Sequence, residues 1–146
     1  MIRTSLAILF TIGLMSSAYA DPTGNWSFET RSEIKGCTIT GNMTISLALD
    51  GSRDCSFISQ ETCDGITRDP ITMDQICKVL ENPDNGHLEI DSTVVGSLIP
   101  DYDLNRYLPD NFYLDQISAE KMTGMWWDRN YSAPVIFWRE KATPSS

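Results

Sequence analysis

Met43-Thr44-Ile45-Ser46-Leu47-Ala48-Leu49-Asp50-Gly51 is the stretch that decides the fold class. Met43, Ile45, Leu47 and Leu49 alternate with Thr44, Ser46 and Ala48, a period of two that belongs to a half-buried strand and not to a helix. Asp50-Gly51 then supplies a reversal, because both residue types tolerate the positive φ of a tight hairpin turn. Upstream, Trp26, Phe28 and Thr30 alternate in the same way with Ser27, Glu29 and Arg31. Downstream, Cys55–Glu61 returns from the turn, and Ile71–Leu80 is the next strand candidate, although Met73-Asp74-Gln75-Ile76 also suits a helical turn. Asn85-Gly86 is the strongest hairpin signal of the chain and joins Cys77–Leu80 to Leu88–Val95. Phe112–Ile117 and Met122–Trp127 pair around Ser118-Ala119-Glu120-Lys121, and Val135–Arg139 closes the series. About eight short strands with turns roughly every ten residues predict an all-β barrel or a β-sandwich.

The start of the chain sets the compartment. Met1-Ile2-Arg3, an apolar run from Leu6 to Met15 and the small residues Ser16 to Ala20 have the three parts of a secretory signal peptide cut after Ala20. The run is too short for a membrane span, which needs about 20 apolar residues. The expectation is a leader over 1–20, one domain over 21–141 and a frayed tail over 142–146. Its location would be secreted or periplasmic, with no membrane insertion after cleavage.

Four cysteines, Cys37, Cys55, Cys63 and Cys77, then read as two disulfides, since an oxidising compartment favours pairing. Their spacings of 18, 8 and 14 contain no Cys-x-x-Cys pair, and His87 is the only histidine, so a zinc site is not expected. Facing residues of a hairpin are equidistant from its turn. Cys37 and Cys63 centre on residue 50, beside Gly51, and Cys55 and Cys77 centre on residue 66, beside Asp64-Gly65. The turn positions therefore favour Cys37–Cys63 with Cys55–Cys77.

Of 146 residues, 20 are acidic and 11 are Lys or Arg, a net charge of −9. The leader holds one of those cations, Arg3. This balance is opposite to the basic surface that a nucleic-acid binder needs, and it disfavours anionic lipid surfaces. Catalytic signals are weak. A Ser-His-Asp arrangement would have to use His87, which follows the Asn85-Gly86 turn, and paired cysteines offer no thiolate nucleophile. Paired carboxylates are uninformative among so many acids. Asp101-Tyr102-Asp103-Leu104-Asn105 has the first spacing of a calcium loop, but Arg106 stands where the sharp turn needs Gly and Phe112 where a bidentate Glu belongs. No cofactor or metal is expected.

The aromatic residues carry the remaining signal. Trp126-Trp127 and Phe137-Trp138 are adjacent pairs, so on strands one member of each faces in and one out. Trp127 and Trp138 beside Tyr131 would form an outward patch able to dock a partner. Pro100–Asn111 is the longest loop candidate, and Tyr102, Tyr107 and Tyr113 around it would line a barrel mouth. Asn25, Asn42 and Asn130 begin glycosylation sequons.

Gly24-Asn25-Trp26 on the first strand, with Arg139 in Phe137-Trp138-Arg139 near the last, resembles the lipocalins and the wider calycin group. The resemblance covers only these two ends, and the chain after residue 20 is shorter than a typical lipocalin, with no C-terminal helix pattern. It is closer in size to avidin-like barrels or to small bacterial secreted inhibitors of lipocalin-like fold, whose extended N-terminal trunk is here reduced to Asp21-Pro22-Thr23. The resemblance implies a single antiparallel up-and-down barrel, with Arg139 packed over Trp26. It also implies a non-catalytic module for a small apolar or amphipathic ligand. The alternatives are a protein-interaction domain, such as a secreted enzyme inhibitor acting on an extracytoplasmic protein, and a structural envelope protein. Oligomeric state stays open.

Overall fold

The computed structural model describes residues 20–141. The leader expected over 1–20, all but Ala20, and the tail at 142–146 lie outside them. Eight strands follow in chain order: β1 Gly24–Ser32, β2 Cys37–Leu47, β3 Arg53–Cys63, β4 Ile71–Glu81, β5 Leu88–Ser97, β6 Asn111–Ile117, β7 Lys121–Trp127 and β8 Ser132–Arg139. Each pairs antiparallel with its neighbours, and β8 returns to β1 through Trp26↔Arg139 to Thr30↔Val135, closing the barrel. That closure overturns the sandwich alternative, which would leave two open sheets.

The hairpins fall where turn chemistry placed them. Gly51 and Gly86 have φ of 86° and 72°, the left-handed region that their turns require. Met73-Asp74-Gln75-Ile76 is strand, because β4 is paired on both sides and Met73, Gln75 and Cys77 all point inward. Leu47 and Leu49 do not reach the core despite their alternation: they are 60% and 111% exposed. Register explains this, since Ile45 already faces Gly24, the first residue of β1, and the hairpin runs on past the barrel floor.

Both disulfides join residues that face each other directly, Cys37↔Cys63 across β2–β3 and Cys55↔Cys77 across β3–β4, as the turn positions predict. A loop-entropy estimate puts each at about 3.5 kcal/mol.

The core explains the alternation. Phe28, Phe57, Phe112 and Phe137 meet in the barrel with ring centroids 5.1 to 5.8 Å apart, mostly edge to face. Such pairs add roughly 0.5–1.5 kcal/mol beyond burial. Met43, Met122, Leu114 and Ile90 fill around them, Trp26 lies at one end of the stack and Trp126 toward the other. Gly41 occupies an inward position between Ile39 and Met43, and a Cβ there would collide with the Phe28 ring. The outward positions are mostly polar, among them Ser27, Glu29, Thr40, Asp54, Gln60, Asp74 and Lys78.

One seam is short. Only three residue pairs join β5 to β6, against eleven between β2 and β3. Above them, β5 is braced by the long Leu98–Asp110 connection, whose Leu104–Arg106 turn packs beside it.

Candidate functional site

The barrel has two chemically different ends. At one end Trp26 is fully buried beneath the Arg139 guanidinium. The other end, where the β1–β2, β3–β4, β5–β6 and β7–β8 connections gather, carries polar groups on the inward phase of the strands. Thr30 and Ser32 continue β1 after Trp26 and Phe28, Ser59 and Glu61 continue β3 after Cys55 and Phe57, and Gln75 lies between Met73 and Cys77. Asp110 precedes Phe112 in the same phase, and Asp128 follows Trp126.

Asp110 is the hub. At 1% exposure its carboxylate accepts from Gln75 Nε2 at 2.7 Å, Tyr107 Oη at 3.0 Å and Trp126 Nε1 at 2.8 Å. Its backbone N–H donates to Gln75 Oε1, and Gln75 Nε2 also donates to Ser59 Oγ. Burial pushes the Asp110 carboxyl above the usual aspartate range, although the hydrogen bonds donated to it oppose that shift. The Tyr107 hydroxyl is pushed far up, first by burial and then by the Asp110 charge.

Above this network sits Lys35, from the β1–β2 turn. Its Nζ bonds Glu61 Oε2 at 2.9 Å, lies 3.6 Å from Asp128 Oδ2, and stands over the rings of Trp126 at 5.9 Å and Tyr131 at 5.7 Å. Burial alone would lower the Lys35 pKa; the Glu61 hydrogen bond and the nearby carboxylates outweigh it and hold the ammonium above its ordinary value. Cys37, Glu61 and Cys63 bring three ligand atoms within 4.8 Å of one another, but both sulfurs are spent in the disulfide.

Two adjoining clefts open here. One of about 300 Å³ is bounded by Lys35, Glu61, Asp128, Tyr107, Tyr131 and Arg106. Its neighbour, about 570 Å³, runs along Ile71, Leu98, Ile99, Pro100 and Tyr102. Arg68, Ile71 and Tyr102 border both. The larger volume lies within the range typical of small-molecule sites.

The residues singled out in the sequence separate accordingly. Tyr102 and Tyr107 reach the mouth, and Tyr131, expected in an outward patch, joins them there. Tyr107 is buried, held by Asp110. Tyr113 is not at the mouth: it faces out from β6 between the inward Phe112 and Leu114, and its hydroxyl meets His87 Nδ1 at 2.6 Å. Trp127 and Trp138 are outward, 38% and 43% exposed, while Trp126 and Phe137 are inward. Sequence reading missed Lys35, Glu61, Arg68, Asp110 and Asp128. Four of the inward polar residues, Ser59, Glu61, Gln75 and Asp110, were detectable as polar residues in phase with apolar ones.

At the opposite end, Arg139 places its guanidinium 4.3 Å from the Trp26 ring centroid and donates to the carbonyls of Thr23, Asp21 and Ala119. The Trp26 indole N–H donates to the Pro22 carbonyl. Gly24 has a φ of 133°, and a Cβ there would lie 2.5 Å from Arg139 Nη1, so a glycine two residues before the Trp leaves room for the cation.

No protein-family model and no curated protein matches the chain. Among solved structures, a de novo designed fluorescence-activating β-barrel is similar, with a TM-score of 0.52 and 13% identity, covering 82% of this chain and 93% of that one. The likeness is one of fold. At that coarse level an eight-stranded antiparallel barrel agrees with a calycin-like architecture, while the matched structure is a designed barrel and not a lipocalin.

Proposed function

We propose that the protein is a secreted or periplasmic, non-catalytic binding module that takes a small amphipathic ligand at the loop end of its barrel. The observation that carries this reading is the division of the interior. The aromatic stack fills the barrel, so the ligand is received by the two clefts above it. Those clefts combine an apolar wall at Ile71, Ile99 and Pro100 with polar and aromatic groups at Arg68, Lys35 and Tyr102, the composition that orients an amphipathic molecule. The buried acids beneath are engaged by Gln75, Tyr107, Trp126 and Lys35, and the single histidine is tied to Tyr113 outside the barrel, which supports binding over catalysis. The outer wall is mostly polar on β1 to β5, with exposed aromatic and apolar residues gathered on β6 to β8, and two disulfides agree with an oxidising compartment.

Native mass spectrometry of protein exported by its own host tests this. A reproducible extra mass, lost on denaturation and absent from a Leu98→Asp variant, is the expected result. A clean apo mass, together with no binding across a panel of amphiphiles, would refute it. The second reading, a protein-interaction domain, draws support from Ile34, Ile66 and Leu98, exposed on three connections around the same end. A partner protein cross-linking to those connections and not to the outward Trp127 or Trp138 would favour it.

A further inference from the structure

We propose a second binding site, on the outer wall of the barrel and independent of the mouth, that takes a short neutral oligosaccharide. A cleft of about 370 Å³ lies across β8, β1, β2 and β3, with Trp138 on one bank and Ile58 on the other. Register sets the banks apart: Trp138 faces Ser27, Ser27 faces Asn42 and Asn42 faces Ile58, a span of about 14 Å at the usual strand spacing. Glu29, Thr40 and Gln60 form the next outward row. The depression has a local cause. Phe28 and Gly41 face each other beneath it, and a Cβ at Gly41 would collide with the Phe28 ring and the Ile58 carbonyl. A glycine there lets the backbones of β1 and β2 sink toward the core.

The chemistry of the lining selects the guest. Ser27, Glu29, Thr40, Asn42 and Gln60 have no side-chain hydrogen bond or ion pair to another described residue. Their neighbours along β1 and β2 are paired, Arg31 with Thr38 just above the cleft and Asn25 with Thr44 just below. Between those pairs, the unpaired groups coincide with the concave stretch. Trp138, 43% exposed, adds an indole whose negative face attracts the C–H groups on one side of a sugar ring. Amide, hydroxyl and carboxylate side chains suit the hydroxyls on the ring's edge, which both donate and accept. Among the described residues no Lys or Arg lines the cleft, so an acidic guest would meet Glu29 and no cation, on a protein of net charge −9. The barrel is closed, so a peptide finds no strand edge to extend. A neutral, hydroxyl-rich ring with one apolar face meets all of these conditions.

The test titrates the exported protein with maltotriose, cellotriose and triacetylchitotriose, with trigalacturonate as the acidic control, and follows the Trp138 indole N–H resonance. At least one neutral trisaccharide is expected to bind at millimolar concentration, and trigalacturonate more weakly. Trp138→Ala should weaken binding, read by calorimetry, about tenfold, the range for losing one stacked aromatic face, and Asn42→Ala or Gln60→Ala should weaken it severalfold. Trp127→Ala, an outward tryptophan outside the cleft, should leave it unchanged. All four positions are exposed, and circular dichroism checks that each variant keeps the fold. Binding of no neutral trisaccharide, equal or tighter binding of trigalacturonate, or an affinity that Trp138→Ala leaves intact would overturn the inference. The reading of the mouth stands apart from each of these outcomes.

Discussion

Replacing Arg139 by Ala should measurably loosen the closure of the barrel. The change removes a cation stacked 4.3 Å from the Trp26 centroid, worth about 1 kcal/mol at a half-exposed site. It also removes hydrogen bonds to Thr23, Asp21 and Ala119 carbonyls. The Thr23 carbonyl is partly buried and loses about 1 kcal/mol, whereas the exposed carbonyls of Asp21 and Ala119 regain water and lose little. The net expectation is a destabilisation of about 2–3 kcal/mol. For a domain of this size that corresponds to a fall of about 8–12 °C in Tm, read by scanning calorimetry or by circular dichroism. Gly24→Ala should act in the same direction, since its Cβ would displace the guanidinium and its φ of 133° strains any L side chain. Arg139→Lys should fall between, because it keeps the charge and loses the fork. A drop of less than about 2 °C in the alanine variant would refute the reasoning, because the two ends of the chain would then be joined by backbone pairing alone.

Lys35→Met should cost about 2–3 kcal/mol by leaving Glu61 and Asp128 without their cation, read as a lower midpoint in urea denaturation. Because burial raises the Asp110 pKa on folding, its contribution to stability is greatest below the unfolded value and declines as pH rises through the higher folded value. The emission of Trp126, whose Nε1 bonds Asp110, should report that titration above the ordinary aspartate range, and Trp126→Phe should erase the step. Gly124→Ala should destabilise by more than about 3 kcal/mol in chemical denaturation, since its Cβ would drive into the Tyr113 carbonyl and Leu114 Cα. Mass-tag labelling without reductant should modify no cysteine, in keeping with both pairs being joined.

Local pattern carried most of the fold. Period two and turn chemistry located the strands, and hairpin symmetry located both disulfides, because these depend only on residues close in sequence. The Gly24, Trp26 and Arg139 arrangement was readable through a resemblance, and the geometry now supplies its physical reason. The polar mouth was harder. Lys35 comes from a turn, Asp110 from a long connection and Asp128 from a hairpin, so their meeting depends on β8 closing onto β1. Tyr113 illustrates the reverse error: proximity to the loop in sequence suggested the mouth, while its phase between Phe112 and Leu114 sends it outside.

The unequal seams give the barrel a mechanical polarity. Strands β2, β3 and β4 are laced by two covalent bonds, whereas β5 and β6 share three residue pairs. A cylinder under thermal or applied stress parts along its weakest joint, so opening should begin between β5 and β6, with amide exchange fastest there and slowest on β3. The same joint carries the long connection that borders the mouth. Cutting the chain within that connection and splicing Lys141 to Asp21 would move the termini from the tightly bound Trp26 end to the yielding one, turning the weakest joint into an adjustable gate.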